Sequence, residues 1–70
     1  MIDNVIKKID NLDGKYFTIR NIINEIEPNN NYQEHELFDI FYEVYSHYKD
    51  KIIMKDSNDN ICDRLIKIKK

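Results

Sequence analysis

The sequence predicts one small α+β domain spanning residues 1–70, made of three helices, a short first strand and a C-terminal β-hairpin. Three stretches carry apolar residues at the 3.6-residue period of a helix face, and β-prone segments separated by turn-forming residues follow the third stretch. At 70 residues, of which 41% are apolar, the chain has material for one core and no room for a second.

The first helix is predicted over residues 2–12, where apolar side chains repeat at intervals of three and four residues. Asp13 and Gly14 end it, because glycine adopts the left-handed backbone conformation of a turn without steric cost. Residues 15–17, Lys-Tyr-Phe, are β-prone and are expected to form the short first strand.

A stripe of isoleucines predicts the second helix, with Thr18 as its N-cap and Pro28 as its stop: Ile19, Ile22, Ile23 and Ile26. Arg20 falls on the polar side of this helix. Because β-branched residues have mediocre helix propensity, tertiary packing must hold the helix in place.

The third helix is predicted to start at a capping box of Asn31 and Glu34, with Asn in place of the usual Ser or Thr, and to run to about Lys49. Its apolar and aromatic side chains cover an arc of about 200°, whereas a helix packed on one side needs roughly 100–140°. Ile40 and Tyr42 stand at the two edges of that arc. Either the helix is contacted from two sides, or these edges form a surface for a partner or a second copy of the chain.

The last third of the chain predicts a hairpin. Residues 52–54 are β-prone, residues 56–60 are turn-forming Asp, Ser and Asn, and residues 64–69 alternate partly and end basic, as an edge strand does. The turn begins like a calcium loop, yet Ile61 and Lys67 stand where such a loop needs Gly and a bidentate Glu. We therefore expect a plain hairpin turn without a metal.

This order of elements resembles that of winged-helix domains, a common DNA-binding scaffold. Residues 34–54 resemble a recognition helix that runs into the first wing strand. Winged-helix domains commonly carry a Gly just before that strand, where this chain has Tyr48, Lys49 and Asp50. The resemblance implies that the exposed face of the third helix would meet base edges in the major groove. The chain also resembles, in style, small proteins of phages and prophages of low-GC bacteria, since its Asn, Ile and Lys have AT-rich codons.

The charges on the third helix conflict with that role. The net charge is −2, but residues 28–47 contain four acids and no Lys or Arg. The exposed face carries Glu36, Asp39, Glu43 and Asp50. A carboxylate about 6 Å from a phosphate is repelled by roughly 0.7 kcal/mol in water and by about 3 kcal/mol at an effective dielectric constant of 20. The face is either an ordinary solvated surface or a docking surface for a basic partner.

The C-terminal end is basic and leaves a second mode of DNA binding open. Five cations there are candidate contacts to DNA phosphates: Lys55, Arg64, Lys67, Lys69 and Lys70. Lysines on an edge strand also serve to keep a sheet soluble and to prevent its edge from pairing with other chains.

No pattern in the chain predicts catalysis or a cofactor. The single cysteine, Cys62, has no partner for a disulfide or a zinc site, and it is compatible with a reducing compartment. No apolar run approaches the roughly 20 residues of a membrane span, and no signal peptide is visible. We expect a cytoplasmic protein that is not an enzyme.

The sequence therefore predicts a small phage or mobile-element protein that acts by binding another protein or by homodimerisation. Five residues of the third helix are the candidate interface: Ile40, Tyr42, Glu36, Asp39 and Glu43. The alternative is a DNA-binding accessory or regulatory protein that contacts phosphates through its basic hairpin.

Overall fold

Three helices form where the sequence places its apolar stripes. In the computed structural model, which describes residues 1–69, helix α1 spans Ile2–Asp10, α2 spans Ile19–Ile26 and α3 spans Glu34–Tyr48. Each helix buries part of its stripe, and Ile19, Ile22 and Ile23 of α2 lie in the core. A 3₁₀ turn at Lys49–Lys51 leads from α3 into the hairpin.

The hairpin is shorter than predicted and completes a winged-helix-like α+β domain. Strand β1 (Ile52–Met54) pairs antiparallel with β2 (Ile66–Ile68), and Ile53 lies opposite Lys67. The predicted first strand is reduced to a single bridge, in which Phe17 and Ile66 exchange two backbone hydrogen bonds of 2.8 Å. A second 3₁₀ turn, Ile61–Asp63, occupies part of the connection between β1 and β2.

The ends of α1 and α2 follow local sequence signals. Helix α1 ends two residues earlier than predicted, and Asp13 and Gly14 then adopt positive φ angles of 55° and 81°. At α2, the hydroxyl of Thr18 accepts a hydrogen bond of 3.1 Å from the backbone N–H of Asn21, as the predicted N-cap requires.

The capping box predicted at Asn31 and Glu34 is wrong. The cap residue of α3 is Gln33, whose backbone N–H donates to Oε1 of Glu36 at 3.2 Å. The preceding loop explains the shift. The Tyr32 hydroxyl donates to Glu27 at 2.9 Å and fixes the loop in a non-helical path, while the Glu34 carboxylate is occupied by Arg20. Neither Asn31 nor Glu34 is therefore placed to cap the helix.

The wide apolar arc of α3 is covered only in part. The helix packs against α1, α2 and the second 3₁₀ turn, which bury Leu37, Phe41 and Val44. Tyr42 and Tyr45 remain exposed, and Ile40 is half-buried. Contact from several sides therefore accounts for the middle of the arc, and its Tyr42 edge is left to solvent.

Two polar contacts tie the elements together. The buried Tyr48 hydroxyl donates to Asp10 at 2.6 Å, and burial followed by this hydrogen bond raises the pKa of Tyr48. The Arg20 guanidinium donates through Nε to Asp63 at 2.6 Å and through one terminal nitrogen to both oxygens of Glu34 at 2.9 Å. The hydrogen bonds to Glu34 and then to Asp63 raise the pKa of Arg20, and the same contact lowers the pKa of Glu34.

Candidate functional site

Helices α1 and α3 lie side by side and leave a groove between them that is open to solvent. Two adjoining depressions form it, and both are lined by Ile2 and Glu43. We call this feature the α1–α3 groove. Its lining from α1 includes Asp3 and Ile6, and its lining from α3 includes the five interface residues predicted from the sequence: Glu36, Asp39, Ile40, Tyr42 and Glu43.

The groove combines apolar side chains with acidic ones. Its apolar lining is supplied by Ile2 and Ile6 from α1 and by Ile40 and Tyr42 from α3, and the Tyr42 residue is 59% exposed. Such an exposed aromatic side chain is typical of a binding surface, because Tyr has an apolar ring and a polar end.

The carboxylates of the groove have no cationic partner within the part of the chain that the structure describes. The ion pairs among residues 1–69 join Lys8 to Glu25 and Arg20 to both Glu34 and Asp63. None of them involves the four acids that line the groove: Asp3, Glu36, Asp39 and Glu43. Oε1 of Glu36 accepts one backbone hydrogen bond, from the N–H of Gln33 at the start of α3. The groove therefore presents concentrated negative charge.

The sequence did not identify the contribution of α1. Ile2 and Ile6 belong to the same helical stripe as the buried Val5 and Ile9, so periodicity alone assigned all four to the core. Asp50, which the sequence grouped with the acids of α3, is exposed on the 3₁₀ turn after the helix and does not line the groove.

The hairpin carries a second charged surface. Side chains of a strand alternate between its two faces, and cross-strand partners share a face. Ile66 is buried on the core side, so Lys67 and its partner Ile53 point outward. Lys55 and Lys67 both contact Tyr16, and Lys69 lines the same depression as Lys67 and Ile53. The backbone of Lys51 is hydrogen-bonded to that of Lys69. We call this surface the outer sheet face.

Tyr16 is at the centre of the outer sheet face. The ammonium group of Lys67 lies 4.9 Å from the centre of the Tyr16 ring, and that of Lys55 lies 5.1 Å from it. These distances are those of cation–π contacts. Tyr16 is 39% exposed, so its ring remains accessible beside the two lysines.

The five candidate phosphate contacts are thus divided among different surroundings. Lys55, Lys67 and Lys69 share the outer sheet face. Arg64 instead supports the hairpin turn, where its Nε donates to the carbonyl of Asn58 at 2.7 Å. Lys70 lies outside the described residues.

No arrangement within residues 1–69 points to a metal site or to a reactive nucleophile. No group of three His, Cys, Asp or Glu in this range could hold a metal ion. Cys62 is fully buried, and burial raises the pKa of its thiol to about 11. A thiol with this pKa is largely protonated at neutral pH, which makes it a poor nucleophile. In the same range, no helix has the length and apolar character needed to cross a bilayer.

Comparisons with known proteins add no family to these observations. No family model matches the chain, and neither the curated proteins nor the solved structures yield a significant match.

Proposed function

We propose that this protein is a non-enzymatic binding module whose α1–α3 groove takes a basic amphipathic segment of a partner protein. The observation that carries the proposal is the apolar lining of the groove, open to solvent and accompanied by four carboxylates without cationic partners. Apolar side chains of the partner would cover the lining, and its Lys or Arg side chains would meet the carboxylates.

The expected interaction energies assign different roles to the apolar and the acidic side chains of the groove. Burying the exposed part of one Tyr side chain removes on the order of 100 Å² from water, which stabilises a complex by about 2–3 kcal/mol. The carboxylates contribute less to affinity, because solvent screens them, but they speed the encounter with a positive partner and repel a negative one. Tyr42 is therefore the expected anchor of the interface, and the acids select the class of partner.

The same charges disfavour a symmetric homodimer through this surface. In a two-fold interface each residue patch meets its own copy. Pairing two α1–α3 grooves would bring Asp39 and Glu43 of one protomer against the acids of the other, and like charges in an interface cost energy. A basic partner can pair its cations with the carboxylates of the groove, and a second copy of the groove cannot.

The winged-helix resemblance implies recognition of the DNA major groove by α3, but the charges of this helix favour protein binding instead. The face of α3 that would enter the major groove exposes Asp39 and Glu43, where base readout needs Arg, Lys, Asn or Gln. We further propose a cytoplasmic location, which the single buried thiol of Cys62 favours. The phage or mobile-element origin inferred from composition stays a prediction.

Binding of designed peptides tests the proposal. We expect a helix-forming peptide with one Leu face and one Lys face to bind the ¹⁵N-labelled protein, with backbone shift changes concentrated on α1 and α3. A matched peptide in which every Lys is replaced by Glu should not bind. Rising salt should weaken the complex, because it screens the attraction between the Lys and Asp or Glu side chains.

Matched charge reversals test whether binding of the Lys peptide depends on the carboxylates of the groove. Asp39→Lys should weaken binding of the Lys peptide, and Asp59→Lys, which changes the net charge equally but lies in the hairpin turn, should not. Tyr42→Ala should weaken binding as well. Tyr16→Ala, on the outer sheet face, should leave binding of the Lys peptide unchanged. Equal binding of the two peptides, or equal effects of the two charge reversals, would refute the proposed groove function.

A further inference from the structure

The outer sheet face has chemistry that the α1–α3 groove does not use. We propose that this face binds single-stranded nucleic acid, with one base stacked on Tyr16 and neighbouring phosphates held by Lys55 and Lys67. This site lies on other elements than the groove and is independent of the protein-binding role. The polymer is defined by its chemistry, a flexible chain of phosphates with bases free to stack.

Two ammonium groups converge on one aromatic ring in this face. Tyr16 precedes the bridge between Phe17 and Ile66, Lys67 follows Ile66 in β2, and Lys55 follows β1. Three separate segments of the chain therefore bring their side chains to one place, with both ammonium groups about 5 Å from the ring centre. The ring keeps two long side chains together that would otherwise repel each other.

The lysines of the outer sheet face are available to bind phosphates. None of the ion pairs among residues 1–69 uses a lysine of the outer sheet face. Lys51 and Lys69 extend the row along the hairpin, where the backbone N–H of Lys69 donates to the carbonyl of Lys51 at 2.7 Å. Asp13 lines the depression beside Lys67 and Lys69, and Asp56 follows Lys55, so two carboxylates lie at the edges of this face beside four lysines. The surface is therefore predominantly positive.

The exposed apolar side chains of this face favour a single strand over a duplex. Tyr16 and Ile53 are both exposed between the lysines. A duplex presents phosphates and sugars to a flat protein face and keeps its bases stacked inside, so it offers neither residue an apolar partner. A single strand offers phosphates for lysines and unstacked bases for an aromatic ring, the combination found in proteins that bind single strands.

The test uses fluorescence anisotropy of a labelled oligothymidylate, with a duplex of the same length as the comparison. We expect the single strand to bind more tightly than the duplex at low salt. Binding should weaken steeply with salt. If Lys55 and Lys67 each neutralise one phosphate, replacing both with Gln should reduce the slope of log affinity against log salt concentration by about 1.4.

The tyrosines provide matched variants. Tyr16→Ala should lower affinity for the single strand roughly tenfold, because it removes a stacking partner, and Tyr16→Phe should retain affinity because the ring remains. Tyr42→Ala removes a more exposed tyrosine from the α1–α3 groove and should have no effect. Circular dichroism checks that each variant is folded. The variant in which Lys55 and Lys67 are replaced by Gln is an independent test should Tyr16→Ala fail to fold.

Three results would overturn the inference. The first is no binding of the oligothymidylate at low salt. The second is duplex binding as tight as single-strand binding, with Tyr16→Ala unaffected, which would reveal a purely electrostatic contact. The third is an unchanged salt slope after both lysines are replaced.

Discussion

Arg20 joins three elements through one guanidinium group. From α2 it reaches Glu34 at the first residue of α3 and Asp63 in the second 3₁₀ turn. Its side chain is 30% exposed, so solvent screens the contacts only in part. Charge-assisted hydrogen bonds of this kind are stronger than neutral ones, and a planar guanidinium suits two carboxylates at once.

Replacing Arg20 by Met should therefore destabilise the protein. We expect the free energy of unfolding to fall by about 1–2 kcal/mol, after discounting the contacts for their exposure. Urea denaturation followed by circular dichroism measures the change, and the midpoint should fall while the slope stays constant. Lys8→Met removes the ion pair with Glu25, which is more exposed, and should change stability by less than about 0.5 kcal/mol. Equal effects of the two substitutions would contradict this view of Arg20.

Glu34 makes stability depend on pH. The hydrogen bonds from Arg20 and then from Asn60 lower the pKa of Glu34 from its ordinary value of 4.5. The folded state therefore holds this proton less tightly than the unfolded state. The resulting stabilisation is fully present above pH 4.5 and is lost as the pH falls through the lowered pKa of the folded state.

Urea denaturation at several pH values checks this prediction. The stability of the wild-type protein should decline as the pH falls below about 4.5, and part of that decline should be absent in Arg20→Met. The same pH profile for both proteins would show that Arg20 does not shift the titration of Glu34.

The junction between α3 and β1 carries backbone strain. Lys49 has φ 53° and ψ −122°, a conformation that favours Gly because any Cβ is crowded there. Winged-helix domains commonly place a Gly just before the wing strand, and this chain reaches a similar turn with a lysine. The departure noted in the sequence therefore has a measurable cost.

Lys49→Gly should stabilise the protein. Relief of the positive φ is worth about 1–3 kcal/mol, and the greater freedom of Gly in the unfolded chain offsets roughly 0.5–1 kcal/mol of it. We expect a net gain of about 1 kcal/mol by thermal or urea denaturation. Lys51→Gly, two residues later and next to the strand, is the matched control and should destabilise. A loss of stability in Lys49→Gly would show that the turn is not strained.

The elements also show where sequence patterns suffice. The faces of all three helices were predicted because periodicity is a local property. The turn at Asp13 and Gly14 and the cap at Thr18 are equally local. The start of α3 was predicted wrongly. It depends on Arg20, which is 14 residues from Glu34, and on the contact between Tyr32 and Glu27. Sequence patterns do not encode such contacts.

The candidate site was likewise predicted from the sequence only in part. The α3 side of the groove was predicted because an overly wide apolar arc and a run of acids are visible along one helix. The α1 side was missed, because only the packing of two helices distinguishes the core residue Val5 from the groove residues Ile2 and Ile6. The pairing of Tyr16 with Lys55 and Lys67 likewise requires the hairpin register.

Charge of opposite sign is separated between two surfaces of the protein. The α1–α3 groove is acidic and the outer sheet face is basic, while the net charge is only −2. A symmetric dimer through either surface would place like charges against each other.

We therefore expect a monomer at physiological salt. Sedimentation equilibrium should give a mass of 8.5 kDa across a wide range of concentrations, and Tyr42→Lys should not change it. A concentration-dependent dimer that Tyr42→Lys abolishes would instead support the homodimer surface first expected from the sequence.

The separation of charge also gives the molecule a permanent electric dipole moment. In the field of an extended polyanion, such a dipole experiences a torque that turns its positive end toward the source and its negative end outward. The protein would thus approach a polyanion already aligned, with its acidic groove turned toward the surrounding solution. Alignment of this kind would leave the groove free to capture a cationic protein while the outer sheet face is occupied.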